Sequence, residues 1–197
     1  MKEIIIATKN PGKAEEFKTF FAKFNIKAVS LLDLSQSIQD VEETGVTFEE
    51  NAALKAEQIA KLVNSPVLAD DSGLTIDALN GRPGIFSARY AGEPKDDKAN
   101  IAKVLAELKD TKETDRTARF VCVLAVATPD ANTIFKKGYC EGSISVTSKG
   151  SNGFGYDPIF IPKNYTRTMA ELSSDEKNSI SHRSNAIRQL EDWLENL

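Results

Sequence analysis

Val67-Leu68-Ala69-Asp70-Asp71-Ser72-Gly73 is the stretch from which the fold is read. Three apolar residues set out a short buried strand, and it stops abruptly at two carboxylates, a hydroxyl and a glycine. Charge at the carboxyl edge of a sheet is where α/β proteins bind ligands. Successive strand side chains point to opposite faces, so only one of the two aspartates faces a given site. The same four polar residues would also serve as a plain turn.

Upstream of this strand, Thr47 with Glu50 three residues later is a capping-box signature. Ala52, Ala56, Ile59, Ala60 and Val63 then supply a helical apolar face that Pro66 closes. Nearer the N-terminus, Ile4 to Thr8 is mostly apolar and β-branched and runs into Asn10-Pro11-Gly12, a buried strand feeding a turn. A helix follows from about Lys13 to Phe24, with Phe17, Phe20, Phe21 and Phe24 on one stripe. Downstream, Leu74 to Leu79 is short and mixed, Asn80 to Gly84 is turn chemistry, and Asp96 to Leu108 is amphipathic. Arg116 to Thr128 reads as a long strand covered on both faces. Pro129 to Asn132 turns it into a second strand around Thr133 to Tyr139, and Ser143 to Thr147 continues an antiparallel meander. A glycine-rich loop, Gly150 to Gly155, precedes Asp157-Pro158 and a short strand, Ile159 to Ile161. The last helix starts near His182 and buries Ala186, Ile187, Leu190, Trp193 and Leu194. Strands and helices intermix without strict βαβ alternation, so the class is α/β or α+β with a mixed sheet.

Composition bounds the chemistry. A chain of 197 residues with 41% hydrophobic side chains is long enough for one domain to bury a core without disulfides or a structural metal. Its 25 basic and 29 acidic residues give a net charge of -4, against a general nucleic-acid binder. Two cysteines and one histidine leave no cysteine zinc site and no mechanism needing two imidazoles. The apolar run at Ile4 to Ala7 is too brief for a signal peptide, and no run nears the ~20 apolar residues that span a bilayer. The expectation is a cytoplasmic protein with no membrane or nucleic-acid partner, working through carboxylates, lysines, arginines, hydroxyls and amides.

Five polar constellations fit that chemistry. Thr8-Lys9-Asn10-Pro11-Gly12-Lys13 lies at a strand-to-helix turn, where unpaired amides and lysines can cradle phosphate. It lacks the second glycine and the hydroxyl of a Walker A loop, and would equally make an ordinary tight turn. Glu42-Glu43 and Asp70-Asp71 offer the hard oxygens that magnesium takes together with substrate phosphates. Asn51 and Lys55, four apart on the helix that follows Glu43, share one stripe. Phe154 and Tyr156, set among Gly153 and Gly155 before Asp157, offer flat surfaces for a planar base. Glu176 to Arg183 is a polar stretch before the final helix, where His182 and Arg183 can donate to a purine oxygen.

Taken in order, these motifs resemble the inosine/xanthosine triphosphate pyrophosphatases. The resemblance runs through Thr8-x-Asn10-x-x-Lys13, Glu42-Glu43-Thr44-Gly45-x-Thr47-Phe48-x-Glu50-Asn51-Ala52 and Ala69-Asp70-Asp71-Ser72-Gly73-Leu74. It continues through Pro83-Gly84-Ile85-x-Ser87-Ala88-Arg89-Tyr90, Gly153-Phe154-Gly155-Tyr156-Asp157-Pro158 and Ser181-His182-Arg183. It implies an α/β fold with a long mixed central sheet and flanking helices, two lobes around a substrate cleft, residues 1–197 forming one domain, and a homodimer. The implied activity is magnesium-dependent hydrolysis of ITP, dITP and XTP to the monophosphate and pyrophosphate. By the same resemblance, Thr8, Lys9, Asn10, Pro11, Gly12, Lys13 and Lys55 take the triphosphate. Glu43 and Asp71 hold Mg2+, Asp71 is also the proton acceptor, and Ser72 touches substrate. Phe154, Gly155, Tyr156, Asp157, Lys177, His182 and Arg183 surround the base. The alternatives are a Maf-type pyrophosphatase acting on modified pyrimidine nucleotides and a catalytically silent nucleotide-binding regulator.

Overall fold

Three parallel strands form around the N-terminal apolar run in the computed structural model, which describes residues 2–34 and 38–195. β1 (Lys2–Ile6) pairs on one side with β2 (Ile26–Ser30) and on the other with β3 (Val67–Ile76). Ile4 lies opposite Ala28 and Ile5 opposite Val67. The sheet continues through β4 (Thr117–Ala127) and β5 (Ile134–Ile144) to β6 (Phe160–Pro162), in the order β2-β1-β3-β4-β5-β6. β5 and β6 are antiparallel, so the sheet is mixed. The helices are α1 (Pro11–Ala22), α2 (Phe48–Val63), α3 (Asp97–Glu107), α4 (Ser174–Ile180), α5 (His182–Arg188) and α6 (Glu191–Glu195). Among the described residues no helix is long and apolar enough to cross a membrane.

The chain divides into two compact units. The first comprises Met1–Asp71, Cys122–Lys137 and Ala186–Leu197, and the second Ser72–Val121 and Gly138–Asn185. Each has its own core. In the first, Ile4, Ile6 and Leu68 pack with Phe17 and Phe21 of α1 and with Leu124, Ile187 and Leu190. In the second, Leu74, Val104, Phe120, Ile144, Phe160 and Met169 come together. Burying each such side chain contributes about 1.5–3 kcal/mol, which anchors the strand ends that carry the polar motifs.

Several expectations are corrected. β3 does not stop at Asp70 but runs on to Ile76, because lysines neutralise the aspartates and let the strand bury them. α1 starts at Pro11, whose missing N–H costs nothing in the first turn, and ends before Phe24, which is exposed. α2 ends at Asn64 in the left-handed region, two residues ahead of Pro66. The strands expected around Thr133 and Ser143 are one continuous strand, β5, with β6 beside it. The stretch from Glu176 to Ile180 is helical rather than a polar lead-in, because Ser173 and Glu176 form a complete capping box for α4. The final helix is broken between Arg188 and Glu191 into α5 and α6.

Candidate functional site

In the first unit, the strand-to-helix turn after β1 is built by its own side chains. Thr8 Oγ1 accepts from the Asn10 amide at 3.1 Å, and Asn10 Oδ1 caps α1 by accepting from the Lys13 amide at 3.1 Å. The Ala14 amide is taken by the Asn10 carbonyl. Within the expected cradle the Thr8, Asn10 and Lys13 amides are already engaged, so attraction of phosphate falls to the Lys9 and Gly12 amides and the lysines. Lys13 Nζ lies 2.9 Å from Asp70 Oδ2, in a pair whose aspartate is fully buried. Lys9 instead meets the exposed Asp40 at 2.9 Å, where water screens the interaction.

Lys55, on α2, joins the second aspartate to the loop before the helix. Its Nζ donates to Glu43 Oε1 at 2.7 Å and lies 3.6 Å from Asp71 Oδ1. Burial opposes its charge, but Asp71, Asp70 and Glu43 together outweigh that and raise its pKa, so it stays an ammonium. Asp71 shifts the other way from an ordinary ion-paired carboxylate. Burial raises its pKa, Glu43 and Asp70 add to the rise, and attraction to Lys55 and Lys13 offsets only part of it. Lys55 offsets burial only in part because its short hydrogen bond goes to Glu43, leaving Asp71 with a longer-range attraction.

Asp71 Oδ2 is buried with no hydrogen-bond partner among the described residues. An orphaned carboxylate oxygen of this kind fits a cation or an oriented water. Among the described residues no group of three or more His, Cys, Asp or Glu side chains could hold a metal. A metal here would take Glu43, Asp71 and oxygens from substrate and solvent, which is the usual magnesium pattern.

In the second unit, the loop from Gly153 to Asp157 is folded around one carboxylate. Asp157 Oδ2 accepts from the Phe154 amide at 3.0 Å and from Lys177 Nζ at 2.7 Å. The cation of Lys177 lies 4.7 Å from the centre of the Phe154 ring, and the Arg183 guanidinium lies 6.0 Å from it. The Gly155 amide donates to Asp97 Oδ2 at 2.8 Å. His182 stacks on Phe120 with ring centres 4.9 Å apart, and Arg183 Nη2 donates to Ser72 Oγ at 2.9 Å. One aromatic departs from the expectation of two flat surfaces. The Tyr156 ring is buried in the core of the second unit and its hydroxyl donates to the Ser87 carbonyl at 2.8 Å, so it holds the loop in place.

The structure thus gathers Lys13, Lys55, Glu43 and Asp71 with Asp70 in the first unit. In the second it gathers Phe154, Asp157, Lys177 and Arg183, with Ser72 on Arg183. Asp97 and Phe120 have no sequence signal as participants, and Asp70 and Ser87, present in the motifs, carry no assigned role there. Asp97, Phe120 and Ser87 reach the site through contacts between segments far apart in sequence.

Known proteins resemble the chain along its whole length. It is 67% identical over 194 residues to a dITP/XTP pyrophosphatase of Oceanobacillus iheyensis, covering 98% of each chain. The solved structure of the Staphylococcus aureus Ham1 protein superposes with a TM-score of 0.86 at 52% identity, covering 99% of both chains. A HAM1 protein from Coxiella burnetii gives 0.88 at 45% identity over the full length of both. These likenesses agree with the mixed sheet and flanking helices described above. The sequence model of the Ham1 family matches residues 4–193, and the chain belongs to that family.

Proposed function

We propose that this protein is a magnesium-dependent pyrophosphohydrolase that converts ITP, dITP and XTP to the nucleoside monophosphate and pyrophosphate, clearing them from the nucleotide pool. The relatives' names support the substrate class. The observation that carries the chemistry is Asp71, a buried carboxylate with a raised pKa and an unpartnered oxygen, 3.6 Å from a charged lysine.

Asp71 accepts the proton of the attacking water. Lys13 and Lys55 exchange their aspartate and glutamate contacts for phosphate oxygens, and Thr8 to Gly12 hold the turn that presents them. Lys9 adds charge from the surface. Glu43 and Asp71 hold the magnesium ion, which when bound supplies charge neutralisation on the phosphate oxygens. Phe154 takes the base on its ring face, and the Gly155 and Tyr156 backbone with Asp157 shapes the loop. Lys177, His182 and Arg183 supply donors for a 6-keto oxygen, with Ser72 on Arg183. Adenine would present an amino donor to those donors, and unpaired buried polar groups discriminate strongly. Residues 1–197 work as one pyrophosphatase domain, as a homodimer in the cytoplasm, where the nucleotide pool lies.

Incubation with magnesium and a nucleotide panel, with product identification, tests this. Pyrophosphate from ITP and XTP, little turnover of ATP and GTP, and loss of turnover in Asp71→Asn are expected. Orthophosphate as product, or no preference for ITP and XTP over ATP and GTP, would overturn the proposal. Preference for modified pyrimidines would point to a Maf-type enzyme, and binding without turnover to a silent regulator.

A further inference from the structure

Asn51 stands out as a residue whose chemistry is otherwise unexplained. Asparagine is a poor residue for a helix interior, yet it occupies the fourth position of α2, fully buried. Its Oδ1 accepts from the Gly45 amide at 2.8 Å, which fixes the orientation of the side-chain amide. Nδ2 is then left buried with no hydrogen-bond partner among the described residues. A helix that only needed packing here would carry an apolar side chain.

What the residue holds is the loop that carries Glu43. Gly45 lies two residues after Glu43, and it approaches the helix so closely that a Cβ there would sit 2.7 Å from Asn51 Oδ1 and 2.6 Å from Glu50 Cβ. The next amide, of Val46, donates to Glu50 Oε2 at 2.6 Å. Only half of the expected capping box forms: Thr47 caps the Glu50 amide at 3.1 Å, while the Glu50 and Asn51 side chains reach past Thr47 to the amides of Val46 and Gly45. One turn further along the same helix stands Lys55, 2.7 Å from Glu43.

We propose that Asn51 is a positioning residue for the pyrophosphohydrolase reaction: its hydrogen bond to Gly45 sets where Glu43 stands relative to Lys55. It rests on the proposed function through the role given there to Glu43. Asn51 touches neither substrate nor metal and acts through the loop.

The test perturbs both ends of the one hydrogen bond in the full-length protein, with Asn51→Leu, Gly45→Ala and the double variant. In the free protein, hydrogen–deuterium exchange of residues 41–46 should speed up by about two- to tenfold in each single variant, as for one lost hydrogen bond. Asn51→Asp, which keeps an acceptor, should restore slow exchange. In the pyrophosphate assay the half-saturating magnesium concentration should rise about 10- to 100-fold, as for loss of an outer support of a metal ligand. The double variant should be no worse than either single one. If Asn51→Leu does not fold, Gly45→Ala, in a partly exposed loop, carries the same expectation. Unchanged exchange, an unchanged magnesium requirement, or additive effects would overturn the role of Asn51. A wild-type protein that releases no pyrophosphate would instead overturn the reading beneath it, while the exchange result would still report whether Asn51 holds the loop.

Discussion

Alanine at Gly153 and alanine at Gly155 form a matched pair of perturbations two residues apart. Both glycines have positive φ, +75° and +59°, so either substitution brings a side chain into the left-handed region at about 1–2 kcal/mol. They differ in what the new methyl meets. At Gly155 nothing lies within 4 Å, whereas at Gly153 it would sit 2.0 Å from Asp157 Oδ2 and 2.9 Å from its Cγ. Aspartate is too short to swing aside and keep both the Phe154 amide and Lys177, and this pair is buried. Separating a buried ion pair costs about 3–5 kcal/mol. Gly155→Ala should therefore lose about 1–2 kcal/mol, and Gly153→Ala roughly 4–7 kcal/mol. For a chain of this size each kcal/mol lowers Tm by about 2–4 °C. Calorimetry should thus place Gly153→Ala at least about 6 °C below Gly155→Ala. The KM for ITP should rise in the first variant much more than in the second. Equal melting temperatures would refute the claim that Asp157 is the organising contact of this loop.

Other parts of the structure give independent expectations. Arg116 is buried and donates to the carbonyls of Thr111, Leu108 and Ser145 at 3.1, 2.7 and 3.3 Å; Arg116→Met should lower stability by about 3 kcal/mol in urea titrations while leaving kcat per folded molecule unchanged. Burial pushes the Cys140 thiol up to about 12, and Cys122 is also buried, so a disulfide-exchange reagent at pH 8 should label neither in the folded protein and both in guanidinium. The Lys18 ammonium and the Ser30 hydroxyl and amide hold the Asp33 carboxyl down at about 2 against an ordinary 3.8. With the folded pKa depressed, its contribution is present above pH 3.8 and disappears as pH falls through about 2. Since the pair is more than a third exposed, that contribution is at most about 1 kcal/mol. The stability difference between wild type and Asp33→Asn should accordingly be small at pH 6 and fade as pH falls through about 2.

The features legible in the sequence are those fixed by neighbours along the chain. Thr47 announces the start of α2 and Asp96 that of α3, and the apolar run of β4 declares its burial on both faces, whereas Asn10-Pro11 reads as a turn although it starts α1. The same spacing rule stands unused at Ser173 and Glu176, where it marks α4. β2 escapes because Ile26 to Ser30 is short and does not alternate cleanly, and its parallel pairing with β1 supplies what its sequence lacks. Gly142 shows the opposite difficulty. It falls between the strands expected around Thr133 to Tyr139 and Ser143 to Thr147, yet it lies inside β5, where a Cβ would sit 2.2 Å from the Ile161 carbonyl of β6. A missing side chain there serves a close strand pair, not a break.

The polar residues follow a related logic, in which partner choice decides role. Asp70 and Asp71 are indistinguishable in sequence. Asp70 has a 2.9 Å contact with Lys13, whereas Asp71 lies 3.6 Å from a lysine already committed to Glu43. Asp71, whose lysine is engaged elsewhere, has the longer lysine contact and a raised pKa. That difference suits Asp71 to accept a proton, and its cause lies in the loop and helix that bring Glu43 to Lys55. In the substrate-free protein, removing the Glu43 carboxylate should therefore draw Lys55 toward Asp71 and lower the pKa of Asp71.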